Sequence, residues 1–120
     1  MAGLNFPKNA DYKPLSSDKD NIAPFEFIPW ILAQCESLKD AKKLLANINL
    51  INEDFSPSLP LTPLHWIITD RTESITVEST KAGFQIHTNP LGVLTNNPPF
   101  AQQMSNWNQY HSKYCPSMLP

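Results

Sequence analysis

Four short runs rich in Ile, Val, Thr and aromatic residues follow one another from Leu64 to Thr95, and they constrain the fold more than any other feature of the chain. The runs are Leu64 to Asp70, Ser74 to Thr80, Phe84 to Thr88 and Leu91 to Thr95. Between them lie only Asp70-Arg71-Thr72-Glu73, Lys81-Ala82-Gly83 and Asn89-Pro90, which are turn residues. Connections this short cannot return a parallel strand, so the segment predicts an antiparallel meander. In the first run Leu64, Trp66 and Ile68 alternate with His65, Ile67 and Thr69, which makes it largely apolar on both faces. A strand of that kind is expected to be covered from both sides.

The segment before the meander offers one cover. Ile28, Ile31, Leu32 and Cys35 fall on one helical face after Pro29, a residue suited to a first helical position. Ser37-Leu-Lys-Asp40 carries a capping signal, and Leu38, Ala41, Leu44, Leu45 and Ile48 make the stripe of a second helix. A third, short helix is predicted from Phe100 to Tyr110. Pro7 to Asn21 reads as a polar loop, Asn52 to Pro63 as a loop punctuated by proline, and Ala2 to Phe6 as the end of a strand. The architecture predicted is α+β, with two or three helices packed on an antiparallel meander. A second covering layer is not evident in the sequence, so residues 1–120 are expected to form one incomplete domain.

Composition narrows the function classes. Net charge is −2, and no basic block offers an electrostatic footprint for nucleic acid or an anionic bilayer. The most apolar stretch, Phe25 to Leu32, carries Glu26 and falls far short of a membrane span. The first residues lack the charged and apolar regions of a signal peptide, so a cytoplasmic location is the expectation. Cys35 and Cys115 suggest neither a disulfide scaffold nor a zinc site, and His65, His87 and His111 share no ligand spacing. No metal or cofactor is expected.

Three local strings carry more specific information: Ala2-Gly-Leu-Asn-Phe-Pro7, Pro63-Leu-His-Trp66 with Asp70 closing the strand, and Val93-Leu-Thr-Asn-Asn-Pro98. With Phe25-Glu-Phe-Ile-Pro29 they resemble the choloylglycine hydrolase family, the bile salt hydrolases and penicillin V acylases. The resemblance runs in the family's order from Ala2 to about Tyr110. It covers well under half of a full-length member, and it implies that the chain is an internal piece lacking the nucleophile region and the C-terminal half. The family's fold is an N-terminal-nucleophile αββα sandwich. Its chemistry is amide hydrolysis by an N-terminal cysteine whose own amine serves as base, with an oxyanion hole for the tetrahedral intermediate.

Here the chain departs from the pattern. Ala2 has no nucleophilic atom, and Cys35, on an apolar helical stripe, reads as a structural thiol. Two positions match family site residues: Asn5, at the oxyanion and substrate site of bile salt hydrolases, and Asn96, the oxyanion-hole asparagine. The penicillin acylases tend to carry tyrosine at the first of these, so Asn5 tilts the resemblance toward bile salts. Phe55, Leu59, Leu61 and Leu64 match, more loosely, a loop bordering the steroid pocket; packing on the helices is the equal alternative. His65 reads as a hydrogen-bonded core residue in preference to a base. The expectation is a fragment of a conjugated bile salt amidase, inactive alone, whose partners would be conjugated bile salts and a complementary hydrolase segment. A binding module without chemistry is the alternative. An exposed sheet edge predicts self-association.

Overall fold

The computed structural model describes residues 1–53 and 61–114. Its elements are β1 (Ala2–Asn5), β2 (Asp20–Ile22), a 3₁₀ turn (Pro24–Glu26), α1 (Phe27–Gln34), α2 (Leu38–Leu45), β3 (Ile48–Leu50), β4 (Leu64–Thr69), β5 (Ser74–Thr80), β6 (Gly83–Thr88) and α3 (Phe100–Tyr114). The main sheet runs β1-β4-β5-β6, every pair antiparallel. A separate parallel pair joins β2 to β3.

The hairpins form where the turn residues place them. Asp70 Oδ1 accepts the amides of Thr72 at 2.8 Å and Glu73 at 3.0 Å, closing the β4–β5 turn. Its other oxygen, Oδ2, accepts the Leu38 amide at 3.0 Å, so the same carboxylate ties the hairpin to the first turn of α2. These amides hold the Asp70 carboxyl well below the ordinary carboxylate range. Ser37 caps α2, its hydroxyl accepting from the Asp40 amide, as the sequence predicts. At the β5–β6 turn Gly83 has φ of +120°, a conformation that favours glycine.

One face of the sheet meets the helices. Trp66, Ile68, Ile75 and Val77 pack with Tyr12, Phe27, Ile31, Leu38, Leu45 and Leu50 into a single core. The Trp66 ring meets Phe27 edge to face, centroids 4.8 Å apart. A β-carbon on Gly3 would lie 3.1 Å from that indole, so glycine lets β1 pair closely beside it. Tyr12 joins the loop to the sheet: its hydroxyl donates to the Thr62 carbonyl at 2.9 Å and accepts the Leu64 amide at 2.8 Å.

Several expectations need correction. Leu91 to Thr95 is not a strand; it lies across the other face of the sheet, with its carbonyls taken by side chains in place of a neighbouring strand. Ile48 belongs to β3 and not to the second helix, because its pairing with Asp20 overrides the helical period. The supposed loop before residue 22 therefore ends in a strand. Leu32 is exposed and Cys35 follows α1 in extended backbone, so the first helix fills the core with Phe27 and Ile31, while Ile28 and Cys35 pack against it half-buried. The third helix runs four residues longer than expected, to Tyr114. The second cover that β4 demands is supplied partly within the chain, by residues 89–100.

Candidate functional site

The face of the sheet away from the helices is built around polar groups. The β4–β5 register sets Trp66 opposite Val77, which places His65 across from Glu78. Both are fully buried, and His65 Nδ1 lies 2.9 Å from Glu78 Oε2. The same Oε2 accepts the backbone amide of Phe100 at 2.8 Å. On its far side His65 Nε2 lies 2.8 Å from the Thr95 carbonyl. A carbonyl only accepts, so Nε2 carries a proton; the Nδ1–Oε2 contact holds a further proton between its two atoms. Phe6, the residue after β1, stacks on the His65 ring with centroids 4.0 Å apart. Glu78 Oε1 is buried without a hydrogen bond, and His87 Nε2 stands 3.8 Å from it.

This cluster organises the turn from Thr95 to Phe100. Gln103 on α3 donates to the Thr95 carbonyl at 3.1 Å and the Pro98 carbonyl at 2.7 Å, while its oxygen accepts the Thr95 amide. Asn9 donates to Asn97 Oδ1 at 2.7 Å, joining the turn to the loop after β1. Upstream, buried Asn89 donates to Thr76 Oγ1 and the Val93 carbonyl and accepts the Gly92 amide. The Gly92 and Thr95 amides and the Val93 and Thr95 carbonyls are thus held by side chains instead of a neighbouring strand.

Against this frame the sequence-predicted residues can be placed. Asn5 closes β1 directly opposite Leu64, and it is exposed. Asn96 is exposed in the bend after Thr95. Each stands next to a residue that touches His65, Asn5 beside Phe6 and Asn96 beside Thr95, so both belong to the end of the sheet where β1 finishes and β4 begins. Among the described residues neither carboxamide has a hydrogen-bond partner, which leaves four N–H donors between them for a ligand. Leu61 and Leu64 are half-buried and pack against the core, and Leu61 also lines a shallow cleft of about 350 Å³ with Ala10, Tyr12 and Asn52. Phe55 and Leu59 lie outside the described residues.

The one cysteine among the described residues, Cys35, is not poised as a nucleophile. Burial pushes the Cys35 thiol up, and Asp40 adds to the effect, which disfavours the reactive thiolate. Among the described residues no group of three or more His, Cys, Asp and Glu side chains is placed to hold a metal ion. No helix among them is long and apolar enough to cross a membrane.

The model of the family "linear amide C–N hydrolases, choloylglycine hydrolase family" matches residues 1–117. The chain belongs to the choloylglycine hydrolase family. Within it, a bile salt hydrolase/transferase from Lactiplantibacillus plantarum is 53% identical over 93% of this chain and 35% of its own length. A bile salt hydrolase/transferase from Clostridium perfringens is 42% identical over 91% of the chain and 34% of its own length. The chain thus spans about a third of the length of the curated relatives it matches. Crystal structures of two variants of the conjugated bile acid hydrolase from Clostridium perfringens superpose with a TM-score of 0.86 at 41% identity, covering 91% of this chain and 34% of theirs. The choloylglycine hydrolase match carries the α+β, partial N-terminal-nucleophile fold expected from the sequence.

Sequence reasoning correctly read His65 as a bonded core residue but missed Glu78, Asn89 and Gln103. Glu78 was legible: counting back from the Asp70–Glu73 turn sets it across from His65, and a lone acid within Ile75-Thr-Val-Glu-Ser-Thr80 needs a partner. Gln103 gave no signal, because its partners are backbone carbonyls.

Proposed function

We propose that this chain supplies the oxyanion-binding segment of a conjugated bile salt amidase, with Asn5 and Asn96 donating to the oxygen of the amide under attack. The observation that carries this reading is the pair of exposed, unpartnered carboxamides at one end of the sheet, one of them on a turn tied down at both ends. Attack on an amide carbonyl moves charge onto its oxygen, and donors already in place stabilise it without reorganising. In this reading the attacking nucleophile is supplied by a segment other than this chain, and amine release by the isolated chain is not expected. The names of its relatives indicate the substrate class, conjugated bile acids, and the family resemblance implies glycine or taurine as the conjugated amine. Leu61 and Leu64 would border the steroid body.

The test is an assembled enzyme in which this chain replaces the matched third of the Lactiplantibacillus plantarum relative. Amine release from glycocholate and taurocholate is expected from the assembly and not from the chain alone. Asn96→Ala should lower kcat by roughly 10²- to 10³-fold, the cost of losing one such donor, with a smaller loss for Asn5→Ala. Turnover by the isolated chain, or an assembly indifferent to both substitutions, would overturn the reading.

A further inference from the structure

We propose that His65 and Glu78 are positioning residues that clamp the turn from Thr95 to Phe100 at both ends and so fix where Asn96 points. This rests on the reading of Asn96 as an oxyanion donor. The geometry is that of a two-jawed clamp. One jaw is His65 Nε2 on the Thr95 carbonyl at 2.8 Å, immediately before Asn96. The other is Glu78 Oε2 on the Phe100 amide at 2.8 Å, at the first residue of α3. The two jaws are joined at 2.9 Å between His65 Nδ1 and Glu78 Oε2. Both side chains are fully buried on adjacent, paired strands, so the clamp is anchored in the interior of the sheet.

The arrangement fits no purely structural purpose well. An apolar pair would fill the same space without the cost of desolvating a carboxylate and an imidazole. The polar pair does what an apolar one cannot, gripping one acceptor and one donor on a backbone that lies outside any strand ladder. It also leaves Asn96 itself unbonded, with its carboxamide free to face outward. Gln103, half-buried on α3, adds a second hold on the Thr95 carbonyl. A donor needs placement within a fraction of an ångström to act on a transition state, and a 1 Å error costs on the order of 10²-fold.

Two measurements test this. In hydrogen exchange of the full chain, Glu78→Gln keeps shape while removing the charge; exchange across residues 95–100 is expected to speed up roughly tenfold or more, with that of β5 and β6 unchanged. An unchanged turn would overturn the clamp. In the assembled enzyme, Glu78→Gln should lower kcat roughly tenfold or more with KM little altered. That loss should largely disappear in the Asn96→Ala background, because the clamp acts through Asn96. A loss that persists in full there would overturn the proposal while leaving the oxyanion reading intact; an Asn96→Ala variant with full activity would instead end the oxyanion reading. His65→Leu fills the volume without a donor and should behave like Glu78→Gln, and His65→Gln, whose amide can reach the same carbonyl, should recover part of the rate. If His65→Leu does not fold, Glu78→Gln and the double variant decide.

Discussion

Single side chains in this molecule hold distant segments together, and two of them give it a dependence on pH. Asp70 joins the β4–β5 turn to the start of α2, and the amides it accepts hold its carboxyl low. A depressed folded value means that its contribution is present above the ordinary carboxylate value of about 4 and is lost as pH falls through the folded one. Urea denaturation below pH ~4 should therefore show falling stability, and Asp70→Asn should flatten that slope. Tyr12 works in the opposite sense. Burial pushes its phenol up to about 12, so stability is complete below the unfolded value near 10 and is lost as pH rises through 12. Absorbance titration of the phenolate should show one tyrosine resisting ionisation until the chain unfolds. Tyr12→Phe leaves the Leu64 amide and Thr62 carbonyl short of a partner and should cost about 1–3 kcal/mol in denaturant melts.

At the scale of elements, stability concentrates where β4 and β5 meet α1 and α2. Trp66→Ala would empty the centre of that core and should cost about 3–5 kcal/mol by chemical denaturation, against about 1 kcal/mol for losing the Ser37 cap. What the sequence made legible follows from range. The β4–β5 and β5–β6 hairpins and the Ser37 cap depend on residues a few positions apart, and all three form as read. The β2–β3 pair depends on Asn21 finding Asn49 across an intervening pair of helices, and no local period announces that. Leu91 to Thr95 has the composition of a strand, yet its peptide groups are captured by Asn89, His65 and Gln103, side chains whose partners are invisible until the fold is known. The candidate site divides in the same way. Asn5 and Asn96 stood out only through their resemblance to a family, whereas the His65–Glu78 pair was recoverable from hairpin register alone.

For the molecule as a whole, the described sheet has two outer edges, β1 and β6, neither paired further among the described residues. Ile86 on β6, and Leu91 and Val93 in the segment that follows it, add exposed apolar surface. Open edges of this kind recruit other strands. The purified chain is expected to self-associate, with sedimentation velocity showing concentration-dependent oligomers and Ile86→Lys shifting the distribution toward monomer.

The pairing of β1 with β4 also sets a schedule for the chain as it is made. Ala2 finds its partner only at Ile67, some 65 residues later. At about 5–20 residues per second the first strand waits roughly 3–13 s on the ribosome before β4 exists at all. Through that interval Gly3 has no indole to lie against and Phe6 has no imidazole to stack on. The hairpins from β4 onward can close as they emerge, so β1, though made before them, is among the last of these strands to find its place.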